Sequence, residues 1–201
     1  MIVRFNAHVI PILKESDLGL LDIFGRSVSK SNPWYSRNPL LEYEMSRTSA
    51  GLLMFRNRDG RLEVLLAHPG GPIYRNKDDG VWTIPKGEID SGEDLLRRAR
   101  IEFEEEVGIP AEGADWIDLG WIKQKGGKTV HAWAFEGDLP DSFQCRSNMF
   151  KMEWPPRSGK MQNFPEVDEA CFFSLDEARR KLKETQTPFL DRLQAALANG
   201  R

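Results

Sequence analysis

Residues 87–109 read GEIDSGEDLLRRARIEFEEEVGI, and this stretch decides the fold. It joins a glycine turn, a helix start and a cluster of carboxylates in one run. Glu102, Glu105 and Glu106 stand at i, i+3 and i+4, so a helix brings all three to one side. Like charges at that spacing repel by a few tenths of a kcal/mol per pair. A hard divalent cation with oxygen ligands is the usual way to offset such repulsion. An acidic helix run taken by itself reads as a solvated face. The glycines and Glu93 around it, all in fixed register, argue for a built site.

Outward from this run the chain carries strands in runs with a few helices. SAGLLMF (49–55) and RLEVLLAH (61–68) read as strands flanking a hairpin turn at Asn57-Arg58-Asp59-Gly60. A Gly/Pro-rich loop (68–80) precedes VWTIP (81–85), which reads as a short strand entering Lys86-Gly87. The helix that follows takes Ser91 as its N-cap, with Asp94 at the third position of an imperfect capping box. Leu96, Ala99, Phe103 and Val107 form its apolar stripe, and Gly108 stops it. Strands are expected at 115–122, 128–137 and 169–173. Ser174 and Glu177 form a capping box for one further helix, and Thr187-Pro188 opens a last one bearing Leu190, Leu193 and Leu197. Runs of strands with a few helices predict a mixed sheet with helices packed on it.

The run 87–109 resembles the Nudix box, Gly-x5-Glu-x7-Arg-Glu-apolar-x-Glu-Glu-x-Gly-apolar. Gly87, Glu93, Glu102, Phe103, Glu105, Glu106, Gly108 and Ile109 fall on its positions, eight of nine over 23 residues. Ile101 stands where the pattern has Arg. The resemblance covers roughly residues 48–195. It implies an α/β fold, an α/β/α sandwich around a central mixed β-sheet, with residues 46–201 as the hydrolase domain and 1–45 as an extension. It also implies Mg²⁺- or Mn²⁺-dependent hydrolysis of a P–O–P bond in a nucleoside diphosphate linked to another moiety. Glu102, Glu105, Glu106 and the Gly87 carbonyl would hold the metal, and the general base is left open among the glutamates and the metal site. Such chemistry needs charge neutralised on phosphate oxygens while water attacks phosphorus. Carboxylate, carbonyl and water ligands around a hard cation suit that task.

Other residues enter by the same resemblance. Phe164-Pro165-Glu166-Val167-Asp168 resembles a segment of family members acting on capped or dinucleoside substrates, making Glu166 a further metal ligand or base. WTIPKG (82–87) resembles the dinucleoside-polyphosphate branch, with Lys86 meeting a substrate phosphate. Trp82 and Lys128 complete the candidate substrate residues, Trp82 with core packing as the competing reading. His68 and His131 lack ligand-spaced partners and read as structural. EWPPRSGKMQNFPE (153–166) reads as one wall of the substrate pocket. The Arg missing at 101 normally braces the glutamate at the Glu93 position; Arg97, four residues after Glu93, is the expected substitute. The alternative to an enzyme is a non-catalytic nucleotide-binding module on the same fold, suggested by Ile101.

Bulk properties bound the partners. The 201 residues carry net charge −3, with 40% hydrophobic and 29% charged residues, as in an ordinary globular protein. No broad basic field favours duplex nucleic acid. No apolar run approaches the roughly 20 residues that cross a bilayer. The N-terminus lacks a signal-peptide pattern. Cys145 and Cys171 have neither CxxC spacing nor a disulfide framework, so a reducing cytoplasm is the expected compartment. A nucleotide or related diphosphate is the expected small-molecule partner, and the resemblance raises a homodimer. Residues 27–39, rich in Ser, Asn and Pro, read as irregular.

Overall fold

The computed structural model describes residues 20–21, 27–28, 48–113 and 115–200. The expected irregular stretch 27–39 and the role of residues 1–45 fall outside the described residues, apart from two short strands. These, β1 (Leu20–Leu21) and β2 (Ser27–Val28), pair antiparallel. All other described elements belong to one compact unit, Met45–Arg201.

β3 (Thr48–Arg58) is the spine of that unit. It pairs antiparallel with β4 (Arg61–Pro69) and with the short β5 (Lys86–Glu88), and parallel with β7 (Thr129–Glu136). β6 (Ile117–Lys123) flanks β7, and β10 (Val167–Ser174) flanks β4, giving the order β10–β4–β3–β7–β6. The β3–β4 hairpin turns on Asp59 and Gly60, both at positive φ, the geometry a two-residue turn of this twist requires. β3 lies in the middle of the sheet and is covered on both faces, so Ser49–Phe55 is an unbroken buried run rather than an alternating one.

The two faces sort the side chains by parity. Leu52, Met54 and Leu65 point to the side of α1 (Leu95–Val107), where Ala99, Phe103 and Val107 meet them. Leu53, Phe55, Val64 and Leu66 point to the opposite side. There they meet Ala178 of α2 (Leu175–Lys181) and Phe189, Leu190 and Leu193 of α3 (Pro188–Ala198). The arrangement is the expected α/β/α sandwich around a mixed sheet. The capping box at Ser174 and Glu177 and the proline-led start of α3 also form as read from sequence.

Three local expectations are corrected. The N-cap of α1 is Asp94, whose side chain accepts from Arg97 N–H, and not Ser91. Gly92 between them sits at φ 83, a left-handed turn that no helix passes through. VWTIP is not a sheet strand; it makes single bridges, Thr83 to Ala67 and Trp82 to Leu182. Pro85, which has no N–H, ends it just before β5. Residues 149–165 form a separate antiparallel ribbon, β8 (Met149–Glu153) with β9 (Met161–Pro165), which the sequence reading did not include. Among the described residues no helix is long and apolar enough to cross a membrane.

The segment leading into β5 is held by a side chain from far along the chain. Gln186 is fully buried; its Oε1 accepts from Ile84 N–H at 3.0 Å and its Nε2 donates to Thr83 Oγ1 at 2.9 Å. Gln186→Ala would strand the Ile84 N–H in the core, a loss of about 1–3 kcal/mol. Denaturant melts should show a loss of about 1 kcal/mol or more; stability within about 0.5 kcal/mol of wild type would contradict this role for the amide.

Candidate active site

The sequence dictates that Glu102, Glu105 and Glu106 emerge from one side of α1, and tertiary structure sets β5 against them. The Lys86 backbone N–H donates to Glu106 Oε2 at 2.9 Å. Gly87 lies so close to Glu102 that a β-carbon there would overlap the carboxyl group. This contact, and not a turn, requires a glycine at 87. Glu102 is thus a buried carboxylate, 7% exposed, lying under the Gly87 backbone.

Burial raises the pKa of Glu102, partly offset by Arg98, with Glu105 and Glu166 adding to the rise. Burial likewise pushes Glu106 up to about 7, against the pull of Lys86, with Glu102 and Glu166 adding their repulsion. In both, burial outweighs the neighbouring cation, Arg98 beside Glu102 and Lys86 beside Glu106. Glu166 joins the cluster through the backbone. Its N–H donates to Asn148 O, while Asn148 N–H donates to Glu105 O, so the start of β10 is tied to the end of α1. Glu93 is bonded elsewhere, accepting from Asp90 N–H at 3.0 Å.

Arg98, and not Arg97, braces the carboxylates. Its guanidinium pairs with both Glu102 and Glu105, while Arg97 lines a shallow surface hollow with Arg100, Ile101 and Glu104. The expected Arg97–Glu93 pair does not form, because Arg97 is spent on the outer face of the helix. The i, i+4 spacing of Arg98 and Glu102 was present in the sequence as the signal for this brace. The Arg98 Nε is buried without a partner, so the brace is incompletely satisfied.

The donor set fits a hard divalent cation: clustered carboxylate oxygens, two with raised pKa, beneath a glycine backbone. Among the described residues no three acidic, His or Cys side chains stand in a ready-made cation cage. Arg98 engages Glu102 and Glu105 while the Lys86 N–H engages Glu106.

The remaining candidates divide. Lys86 is half-buried beside Glu106; burial lowers its pKa and Glu106 counters this. Lys128 Nζ pairs with Glu88 Oε1 at 2.7 Å, at the exposed edge of β5. Trp82, counted among the substrate residues, is 3% exposed, donates its indole N–H to Asp78, and packs edge-on against His68 and Phe173. Its burial leaves it to core packing. His68 is held between Asp168 Oδ1 and Lys77 O, a structural clasp on the 70–80 loop. His131 stacks on Trp133. The β8–β9 ribbon covers the Gly71 turn with Phe150 and Phe164.

Comparisons with known proteins bear on the fold and the family. The NUDIX domain family matches residues 45–193. The chain is 31% identical over 111 residues to the asymmetrical bis(5'-nucleosyl)-tetraphosphatase of Caenorhabditis elegans, covering 53% of this chain and 76% of that enzyme. It is 33% identical over 82 residues to the RNA pyrophosphohydrolase of Caulobacter vibrioides, covering 41% of this chain and 44% of that enzyme. The crystal structure of a C. elegans Ap4A hydrolase binary complex superposes with TM-score 0.55 at 24% identity, over 75% of this chain and 98% of that one, which shows a shared fold.

The Glu106 shift has a signed consequence. With a folded pKa of about 7 against an ordinary 4.5, the folded state binds this proton more tightly than the unfolded chain. The stability this gives is present at low pH and is lost as pH rises from about 4.5 through about 7. Glu106→Gln stays neutral throughout. Thermal melts in chelator should show the variant a few degrees more stable than wild type at pH 8 and no different near pH 5. Equal melting temperatures at pH 8 would refute the shift.

Proposed function

The chain belongs to the NUDIX family and is a Nudix pyrophosphohydrolase, and from that premise we propose that it uses Mg²⁺ or Mn²⁺ to cleave a nucleoside diphosphate linked to another moiety. A dinucleoside polyphosphate is the favoured substrate. The carrying observation is that Glu102 lies against the Gly87 backbone and Glu106 accepts from the Lys86 N–H, with Glu105 on the same helix face and Glu166 tied to that helix through Asn148. We assign this chemistry to residues 46–201. Similarity to the tetraphosphatase supports the substrate class, as does WTIPKG leading into the box.

Glu102, Glu105, Glu106 and the Gly87 carbonyl would hold the cation, with Glu166 beside them. Bound there, it supplies charge neutralisation on the phosphate oxygens and polarisation of the attacked phosphorus. The protein's own groups do the rest. Lys86, at the mouth of β5, offers a point charge to a substrate phosphate. A half-buried glutamate with a raised pKa is suited to take a proton from water near neutral pH. The water oxygen bonds to phosphorus as the bridging P–O bond breaks, leaving two phosphorylated products. The antiparallel β3–β5 pair and the Gln186 clasp on the segment entering β5 hold β5 against α1, so the groups are positioned before substrate arrives. Half-buried free thiols at Cys145 and Cys171 suit a reducing cytoplasm.

A panel of nucleotide substrates with Mg²⁺ and with Mn²⁺ tests the reading. Wild type should release mononucleotide products, and Glu105→Gln should lower kcat by roughly 100-fold or more. Gly87→Ala should melt close to wild type, because the Glu102 carboxyl can swing aside, yet lose most activity because that carboxyl is displaced. No turnover of any panel member, or full activity in both variants, would contradict the assignment.

A further inference from the structure

Glu166 comes to the carboxylates of α1 from another part of the chain, and two short segments grip its backbone. Its N–H donates to Asn148 O at 2.9 Å, and its carbonyl accepts from Gly70 N–H at 2.8 Å, just past the end of β4. A β-carbon at Gly70 would fall 2.2 Å from Pro165 O, so this side of the grip has no room to slide. Glu166 is itself exposed, while the next residue, Val167, is buried.

Val167 faces Pro69 of β4, and the register then shifts before Glu169, so Asp168 is an extra residue in β10. The N–H and carbonyl of Val167 turn to the outer edge of the sheet, where one side chain takes both. The Val167 N–H donates to Ser147 Oγ at 2.9 Å, and Ser147 Oγ donates to Val167 O at 2.9 Å. A hydroxyl has one proton and two lone pairs, enough to serve both groups at once. Asn148 O, at 3.0 Å, is a second acceptor for the same proton. Ser147 stands where a neighbouring strand would otherwise satisfy this buried residue.

The segment that carries Ser147 is fastened to α1 on both sides of it. Arg146 N–H donates to Val107 O at 3.4 Å, and Asn148 N–H donates to Glu105 O at 3.1 Å. Gly108, at φ 88, lets the segment pass, since a β-carbon there would fall 2.7 Å from Arg146 O. Residues 146–148 therefore splice the start of β10 to the end of the helix that presents Glu105 and Glu106. The bonds to Glu105, Val107 and Glu166 are main chain, so the Ser147 hydroxyl is the part of the splice that a substitution removes. Burial is the main cause of the raised pKa at Glu102 and Glu106, and Glu166 adds to both, which puts its carboxylate within reach of the same cluster.

We propose that Ser147 is a positioning residue: by holding both main-chain groups of Val167, its hydroxyl sets Glu166 against the carboxylates of α1 as a further member of their cation site. The inference rests on the pyrophosphohydrolase reading, in which Glu166 stands beside the cation, and adds the residue that fixes where it stands. Ser147 acts through Glu166 and ligates nothing itself. Its removal therefore costs cation affinity while Glu166 is present and costs none once Glu166 is gone.

A double-mutant cycle in the full chain tests this, with Ser147→Ala, Ser147→Thr, Glu166→Gln and Ser147→Ala/Glu166→Gln. Electron paramagnetic resonance titration of Mn²⁺ reads the cation site without substrate, and thermal melts in chelator read folding. Ser147→Ala should weaken Mn²⁺ binding by about ten-fold. Ser147→Thr, which keeps the hydroxyl, should bind within about two-fold of wild type, and Ser147→Ala should change the affinity of Glu166→Gln by less than about two-fold. Any loss of melting temperature from Ser147→Ala should be the same with and without Glu166, which separates positioning from general loosening. Ser147→Ala that binds Mn²⁺ as wild type does, or that weakens it equally in both backgrounds, would overturn the proposal and leave the cation site standing. Unchanged affinity in Glu166→Gln, with Glu105→Gln still weakened, would overturn it too. A wild type that binds no Mn²⁺ would instead overturn the cation reading, and this proposal with it.

Discussion

Negative charge held out of water beside a glycine backbone is the constraint on which the rest of this structure depends. Glu102 and Glu106 are placed where burial disfavours ionisation, and Glu105 and Glu166 add further repulsion. Hydrophobic packing of Phe103, Ala99 and Val107 against the sheet keeps α1 in place despite this. The same packing fixes which way the carboxylates face. β5 is short because its task is local: three residues that bring the Lys86 N–H to Glu106 and the Gly87 backbone over Glu102.

Positive charge is arranged around this cluster in layers. Arg98 pairs with two glutamates from within the helix, while Glu93, which an Arg at 101 would brace, accepts from the Asp90 N–H instead. Lys86 stands beside Glu106, and Lys128 is tethered to Glu88. Buried acid at the centre suits a cation held by oxygen ligands. It also gives each charged residue a distinct test, since removing a rim lysine alters binding while removing a central carboxylate alters the chemical step.

What the sequence made legible follows from distance along the chain. The box at 87–109 is local, so its helix, its stripe and its carboxylate face could all be read from spacing. Strand and helix order pointed to a mixed sheet with helices packed on it, and the resemblance to the Nudix box added the two-face sandwich. The misread parts depend on remote partners. VWTIP looks like a strand, but its neighbours are Ala67 on one side and residues 181–183 on the other. Trp82 is core because Phe173 and His68 surround it, which its own neighbours do not disclose. Arg97 and Arg98 are adjacent in sequence, and only the packing of α1 decides which one faces the acids. The β8–β9 ribbon is interrupted by Trp154-Pro155-Pro156 and packs on a glycine turn, so it carries little periodic signal.

Direct measurement of metal binding addresses the central claim, that these glutamates form a cation site. Electron paramagnetic resonance titration of Mn²⁺ into wild type and into Glu102→Gln, Glu105→Gln and Glu106→Gln reads occupancy without any substrate. The account predicts saturable binding by wild type, weakened at least ten-fold in each variant, with folding retained. Mn²⁺ bound equally by wild type and all three variants would place the metal elsewhere and contradict it.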